Sequence, residues 1–398
     1  MKQTIVIIGA GAAGIILACH LNESKYDVHL YEKGKTIGRK LLVAGKGGFN
    51  LTHSEGMKDF ISRYMPEEFI APYIKHFTNQ DLVKWLKSIG IDTFVGSSKR
   101  VFPDKTIKPA EVLAKFTEIL NKKNVTIHTQ HQWTGWTKNQ LSFTCDRGDI
   151  MISADYTIFA LGGASWSKTG SDGSWLSLFD DKGIKTTSFF PSNCGYLINW
   201  GDKFLSPNDG QPIKNIAVKS GNQYKKGELM ITRYGIEGGA IYALSPTIRK
   251  DLQAIGYSKI YIDLKPQFSI EKLEKIILSK SKKSNWKTFF KQEIKLSNVQ
   301  IDLLKTYSDK TIYNDSLTLS QGIKNLPLEI IGTTPINEAI STVGGISLHS
   351  VNKNLELKAS PQHYVMGEML NWDAPTGGYL LQACFSMGKY LADELNKI

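Results

Sequence analysis

The chain has 398 residues, 41% hydrophobic and 22% charged. This is ordinary globular usage; it excludes a disordered, collagen-like or disulfide-scaffold protein and predicts two or three domains. Forty-nine basic residues against thirty-seven acidic ones give a formal charge of +12, which fits nucleic acid, an anionic cofactor or a plain basic surface.

The first elements form a unit. A β-branched strand, Thr4–Ile8, runs into Gly9-Ala10-Gly11-Ala12-Ala13-Gly14, and a helix follows from Ala12 to Asn22. A second strand, Val28–Tyr31, ends in Glu32, eighteen residues after Gly14. This is the G-x-G-x-x-G dinucleotide fingerprint, with a strand before it, a helix after it and an acid beyond. Gly9 permits the tight turn, and Gly11 lets a pyrophosphate approach the backbone at Ala12 and Ala13. Gly14 lets helix and strand pack closely. Glu32, with Lys33 beside it, is expected at the adenosine ribose. An acid there disfavours a 2′-phosphate and leaves NAD and FAD open. Gly9, Gly11 and Gly14 also interrupt the apolar N-terminal run, so it is read as neither a leader nor a membrane span.

Three further glycine clusters favour FAD. The first, Gly38–His53, offers Arg39, Lys40, Lys46, Gly47, Asn50, Leu51 and Thr52 to the cofactor. A helix over 78–89, the segment 100–103 and a helix over 109–122 follow. Four short strands, 125–129, 133–138, 140–146 and 149–152, are expected as one antiparallel patch, with His128 and His131 on its surface. The second cluster ends the strand Tyr156–Phe159 in Ala160, Leu161, Gly162 and Gly163, and a helix over 174–182 comes after its loop. From Pro191 the pattern turns β-rich and encloses a helical portion over 269–320. Residues 265–310 carry eleven lysines, no arginine and five acids, the composition of a solvated face. Gly344 and Gly345 then form a strand-and-turn pair expected to approach the flavin. The third cluster runs from Gly367 and Glu368 through Asp373, Thr376, Gly377, Gly378 and Tyr379 into a helix. Flavin domains use such a return to hold the ribityl chain and the flavin ring, whereas NAD dehydrogenases do not need it.

These segments, with Gly162–Gly173, Gly227–Ala240, Ala339–Ile346 and Gly367–Gly388, resemble the BaiN-like bacterial flavoproteins over nearly the whole chain. Gly48-Phe49-Asn50 stands where many members have Arg-Cys-Asn, and the loop Asn371–Pro375 also departs from the commoner version, so the chain resembles a divergent branch. The resemblance implies an α/β protein with a Rossmann-like FAD-binding domain of the glutathione-reductase (GR2) type. It implies an inserted β-rich domain carrying a helical subdomain. The expected boundaries are 1–190 and 333–398 for the FAD domain and 191–332 for the insert.

The implied activity is that of an FAD-dependent oxidoreductase with non-covalent FAD. Flavin N5 would exchange a hydride with a small or medium apolar molecule in a cleft between domain and insert. A flavin-bearing tRNA-binding or tRNA-modifying protein is the alternative, disfavoured by the scarcity of arginine in the insert. NAD(P)H is admitted as a transient electron donor, although the chain has no second G-x-G-x-x-G. Cys19, Cys145, Cys194 and Cys384 form no C-x-x-C, which excludes a dithiol relay and a zinc knuckle and fits the cytoplasm. No metal is expected, and there is no signal for an oligomeric state. Candidate polar groups for the cleft are Lys46, Asn50, His53, Lys168, Arg233, Tyr234, Glu237 and Tyr379. Tyr234 is the expected proton donor, since a phenol can serve beside flavin N5.

Overall fold

The β-branched run Gln3–Ile8 (β1) has both faces covered: Ile5, Val6 and Ile7 are fully buried and Ile8 is 2% exposed. Such a strand belongs in the middle of a parallel sheet. In a computed structural model that describes residues 1–43, 49–281 and 283–398, it lies there. β1 pairs in parallel with Tyr26–Glu32 (β2) on one side; on the other it pairs with the later strand Tyr156–Phe159. The helix Ala12–His20 (α1) makes the crossover between β1 and β2. Thr126–Thr129 (β3) extends the sheet beyond β2, Tyr156–Phe159 is β4, and His363–Val365 (β5) closes the other edge, giving the order β5-β4-β1-β2-β3. A long C-terminal helix, Tyr379–Lys397 (α2), packs on α1. Contact is close there because Gly388 has no side chain: a Cβ would stand 2.9 Å from the Ala13 carbonyl oxygen.

One strand expectation is corrected. Residues 126–129 do not join the antiparallel patch; they pair in parallel with His29–Glu32. The patch is a three-stranded meander of Gln132–Thr137, Gln140–Cys145 and Gly148–Ile152. His128 is accordingly half-buried, stacked on Tyr31 at 4.3 Å, with its Nε2 3.0 Å from His29 Nδ1.

The chain divides into two units, 1–190 with 340–398, and 191–339. The return to the first unit therefore comes at Ile340 rather than at 333, because Gly332–Thr333 still pairs with Tyr196–Leu197 of the second unit. The second unit is built on a seven-stranded sheet with helices Ile270–Leu278, Asn298–Tyr307 and Ser316–Lys324 beside it. Ser269, Ser297 and Asp315 cap these helices, each side chain accepting from a first-turn N–H. Part of the lysine excess is internal. Lys324 pairs with buried Asp263 at 2.6 Å, and Lys265 donates to the Lys295 carbonyl. Among the described residues no helix is long and apolar enough to cross a membrane, and no cluster of three or more His, Cys, Asp or Glu could hold a metal.

Candidate functional site

The loop between β1 and α1 is shaped by its glycines, each for a different reason. Gly9 has φ +106°, and a Cβ there would stand 2.3 Å from the Ala160 carbonyl oxygen. At Gly14 a Cβ would meet the Gly9 carbonyl oxygen at 2.1 Å, so helix and strand could not close. Gly11 is the opposite case: a Cβ would find nothing within 4 Å. Gly11 precedes the first turn of α1, whose N–H groups at Ala12 and Ala13 have no acceptor within the helix. An open space faced by free amides at the positive end of a helix suits a phosphate.

Glu32 closes the same loop from the end of β2. Its Oε2 accepts from Ala10 N–H at 3.1 Å and its Oε1 from Gly34 N–H at 2.8 Å. Each carboxylate oxygen keeps a further lone pair for a hydroxyl. Lys33 pairs with Asp172 at 2.7 Å. Burial pushes the Asp172 carboxyl up, but Lys33 and Ser174 more than offset it, and it stays below its ordinary range. Gly170, with φ +103°, lies in the loop beside Lys33 and Glu32. The loop after β4 thus reaches the end of β2, where sequence spacing alone would not put it.

A second polar knot forms at the ends of β4 and β5. Glu368 Oε2 accepts from Lys40 Nζ at 2.9 Å, and its Oε1 accepts from Thr342 N–H at 3.1 Å. Lys40 also donates to Ser165 Oγ at 2.8 Å. Gly163 fits because a Cβ would strike Thr342 Oγ1 at 2.2 Å, and Ala164 N–H donates to that same oxygen at 3.1 Å. Gly162 offers its carbonyl to Trp175 Nε1 at 3.1 Å, and Leu161 N–H points to Met369 Sδ at 3.0 Å. Gly367, at φ +75°, packs a would-be Cβ 3.1 Å from Ala13, so Glu368 is carried next to α1. Cys384 lies nearby, and burial pushes its thiol up to about 12, with Glu368 adding to the effect. It is no thiolate nucleophile.

The third element is the start of α2. Gly378, at φ +99°, lies on the backbone of Thr52: a Cβ would stand 2.5 Å from Thr52 Cα. Gly377, at φ +119°, stands beside Arg100 Nε and the Tyr379 ring. Leu51 and Thr52 are fully buried, held by Leu51 N–H to the Val101 carbonyl at 2.8 Å and by the pairing of Thr52 with Val101. His53 stacks on Tyr379 with ring centroids 5.2 Å apart. The Tyr379 phenol donates to Glu55 at 2.6 Å, and Glu55 is gripped by Arg63. Glu55 and Arg63 were not expected from the sequence. Their only local signal is the spacing of eight residues between an acid and an arginine.

Other expected residues are placed differently. Gly344 and Gly345, at φ +122° and +94°, press on protein backbone: Cβ atoms would strike Ser188 O at 2.5 Å and Met369 O at 2.1 Å. Their small size is explained without a ligand. Asp373 is buried, its Oδ1 accepting from Ala374 N–H and its backbone bridged to Met65. Thr376 and Asn50 are half-buried, and Arg39 is exposed at the start of the short helix Arg39–Val43. Lys46 and Gly47 lie outside the described residues. Lys168 is exposed in the short turn Ser167–Thr169. Arg233, Tyr234 and Glu237 belong to the second unit, where Tyr234 is 59% exposed with Arg233 over its ring.

The profile of the HI0933-like protein Rossmann domain matches residues 3–394. The chain is 25% identical over 406 residues to the 3-dehydro-bile acid delta(4,6)-reductase of Clostridium scindens, covering 98% of this chain and 97% of that protein. It is 24% identical to the ribosomal RNA dihydrouridine synthase of Haemophilus influenzae, over 96% of this chain and 95% of the other. A solved structure, the 3-ketosteroid-delta4-(5alpha)-dehydrogenase from Rhodococcus jostii, shares the fold with a TM-score of 0.53 at 12% identity, over 98% and 97% of the two chains.

Proposed function

This chain belongs to the HI0933-like Rossmann family, and from that premise we propose that it is an FAD-dependent oxidoreductase that reduces a carbon–carbon double bond conjugated to a carbonyl. One observation carries the cofactor: the open position at Gly11, faced by the first amides of α1. Bound FAD supplies hydride exchange at flavin N5. Gly11, Ala12 and Ala13 would hold the pyrophosphate, and Glu32 would accept from the adenosine ribose. Glu368, already oriented by Lys40 and Thr342, would accept from the ribityl hydroxyls. The N–H groups of the first turn of α2, after Gly377 and Gly378, would favour negative charge on the reduced flavin. NAD(P)H serves as the electron donor.

The substrate class is supported by chemistry common to the two relatives. A 3-keto ring unsaturated at positions 4 and 6 and a uracil ring both hold a C=C conjugated to a carbonyl. Reduction places a hydride on the carbon β to that carbonyl and a proton on the α carbon. The primary substrate we propose is a small or medium apolar ring compound. A uracil in RNA is the second candidate, favoured by the Haemophilus relative's name and by the charge of +12.

The test is anaerobic. NADH or NADPH should bleach the bound flavin. Reoxidation by a 3-keto-4-ene steroid, or by a uridine-containing ribosomal RNA fragment, should give a product richer by two hydrogens. Bleaching without reoxidation by either compound would refute the substrate class. Release of FMN, or of no flavin, on denaturation would refute the cofactor.

A further inference from the structure

Two neighbouring segments, far in sequence from the start of α2, bring an ion pair to it: a shielded carboxylate, Glu55, and a guanidinium, Arg63, that is 39% exposed. Glu55 follows the strand Thr52–His53, Arg63 follows the helix Met57–Ile61, and Tyr379 opens α2. The Glu55 side chain is 8% exposed. It accepts from Arg63 Nε at 3.1 Å and Nη2 at 2.8 Å, a two-pronged grip, and from the Tyr379 phenol at 2.6 Å. Asn79 Nδ2 donates to the backbone carbonyls of His53 and Glu55, at 2.7 and 3.2 Å. His53 Nδ1 accepts from Glu55 N–H at 3.2 Å, which puts the proton of the neutral ring on Nε2, toward the Ser98 carbonyl at 3.2 Å. The Tyr64 phenol donates to the Tyr379 carbonyl at 2.8 Å.

An ion pair with its cation partly in solvent adds little to the stability of a fold. This pair's hydrogen-bond partner Tyr379 directly follows the glycine pair Gly377–Gly378. Taking the flavin placement proposed above as given, we infer that Glu55 and Arg63 are positioning residues: through Tyr379 they fix the turn Gly377–Tyr379, and by cancelling each other's charge they set the reduction potential of the flavin. An uncancelled charge shifts the potential of a nearby redox centre that gains negative charge. Removing the carboxylate unmasks the guanidinium and favours the reduced form. Removing the guanidinium unmasks the carboxylate and disfavours it. Loss of packing alone has no reason to give opposite signs.

The experiment measures the midpoint potential of the FAD-loaded full-length protein by dye equilibration, with thermal unfolding of the FAD-free protein alongside. E55Q should raise the potential and R63Q should lower it. The double variant E55Q/R63Q should return it to the wild-type value. Y379F, which keeps both charges, should move it less than either single change. Shifts of the same sign, no shift with FAD fully bound, or loss of FAD from all three charge variants would overturn the inference. Failure of the FAD site itself shows separately, as FAD retained by G11V, and failure of the ring placement at α2 as FAD binding unchanged in G378A.

Discussion

The two ends of the candidate site are built by different means. Around Gly11 the candidate surface is backbone: amides at a helix start, with glycines that keep space open or let chain segments close. Around Tyr379 the backbone is held in place by side chains, drawn from the segments near Thr52, Arg63 and Arg100 as well as from α2. A backbone site is specified locally and has few titrating groups. A side-chain site depends on the whole unit being folded, and it carries charge that pH and substitution can reach.

The sharpest break between the two comes at the glycines. Gly11→Val should abolish FAD retention with little change in the stability of the FAD-free protein, because the new side chain enters open space. Gly14→Val places a Cβ where Gly9 oxygen already stands, and should cost about 3 kcal/mol or more of folding stability, read by denaturant unfolding. If both variants fold equally well and differ only in FAD content, the structural role given to Gly14 is wrong.

At the other end, Gly378→Ala combines a positive φ with a contact on Thr52 backbone. We expect a loss of roughly 1–3 kcal/mol from strain and overpacking. FAD should be held more weakly by the protein that remains folded. Unchanged unfolding and unchanged FAD affinity would show that the turn is freer than drawn.

Lys40→Met tests the knot between the two ends. It leaves Glu368 without its ammonium partner and should weaken FAD binding about tenfold, or roughly 1.4 kcal/mol, measured by fluorescence titration. Tighter binding would mean that Lys40 competes with the cofactor for Glu368 instead of orienting it.

The smallest effect expected is on pH. Burial pushes the Glu55 carboxyl up, but Arg63 and the Tyr379 phenol more than offset this and leave it below its ordinary 4.5. Its stabilising contribution is therefore present above about pH 4.5 and is lost as pH falls through the depressed value. Acid unfolding of wild type should be steeper in that window than unfolding of E55Q. Equal slopes would take the ion pair out of the stability account.

The backbone end was readable in the sequence because each requirement is local. Gly9, Gly14 and Glu32 are spaced as a strand, a turn and a helix demand, and the structure supplies the contact behind each glycine. The other end was only half readable. Gly377, Gly378 and Tyr379 stood out, but nothing in the chain announced that Tyr379 meets Glu55, 324 positions away. Gly344 and Gly345 carry the same signal, and there, as at Gly378, the glycine admits a neighbouring backbone, a reason that sequence alone cannot tell from a ligand. The strand Thr126–Thr129 was assigned the wrong neighbours because its residues favour an extended chain without naming a partner.

The most direct test of the central claim is an anaerobic spectrum of the purified protein through one cycle of reduction and reoxidation. The flavin spectrum should bleach with NADH or NADPH and return when a compound with a C=C conjugated to a carbonyl is added, with formation of the saturated product. A protein that holds FAD yet is reoxidised by no such compound, neither a steroid enone nor a uracil in RNA, would contradict that claim.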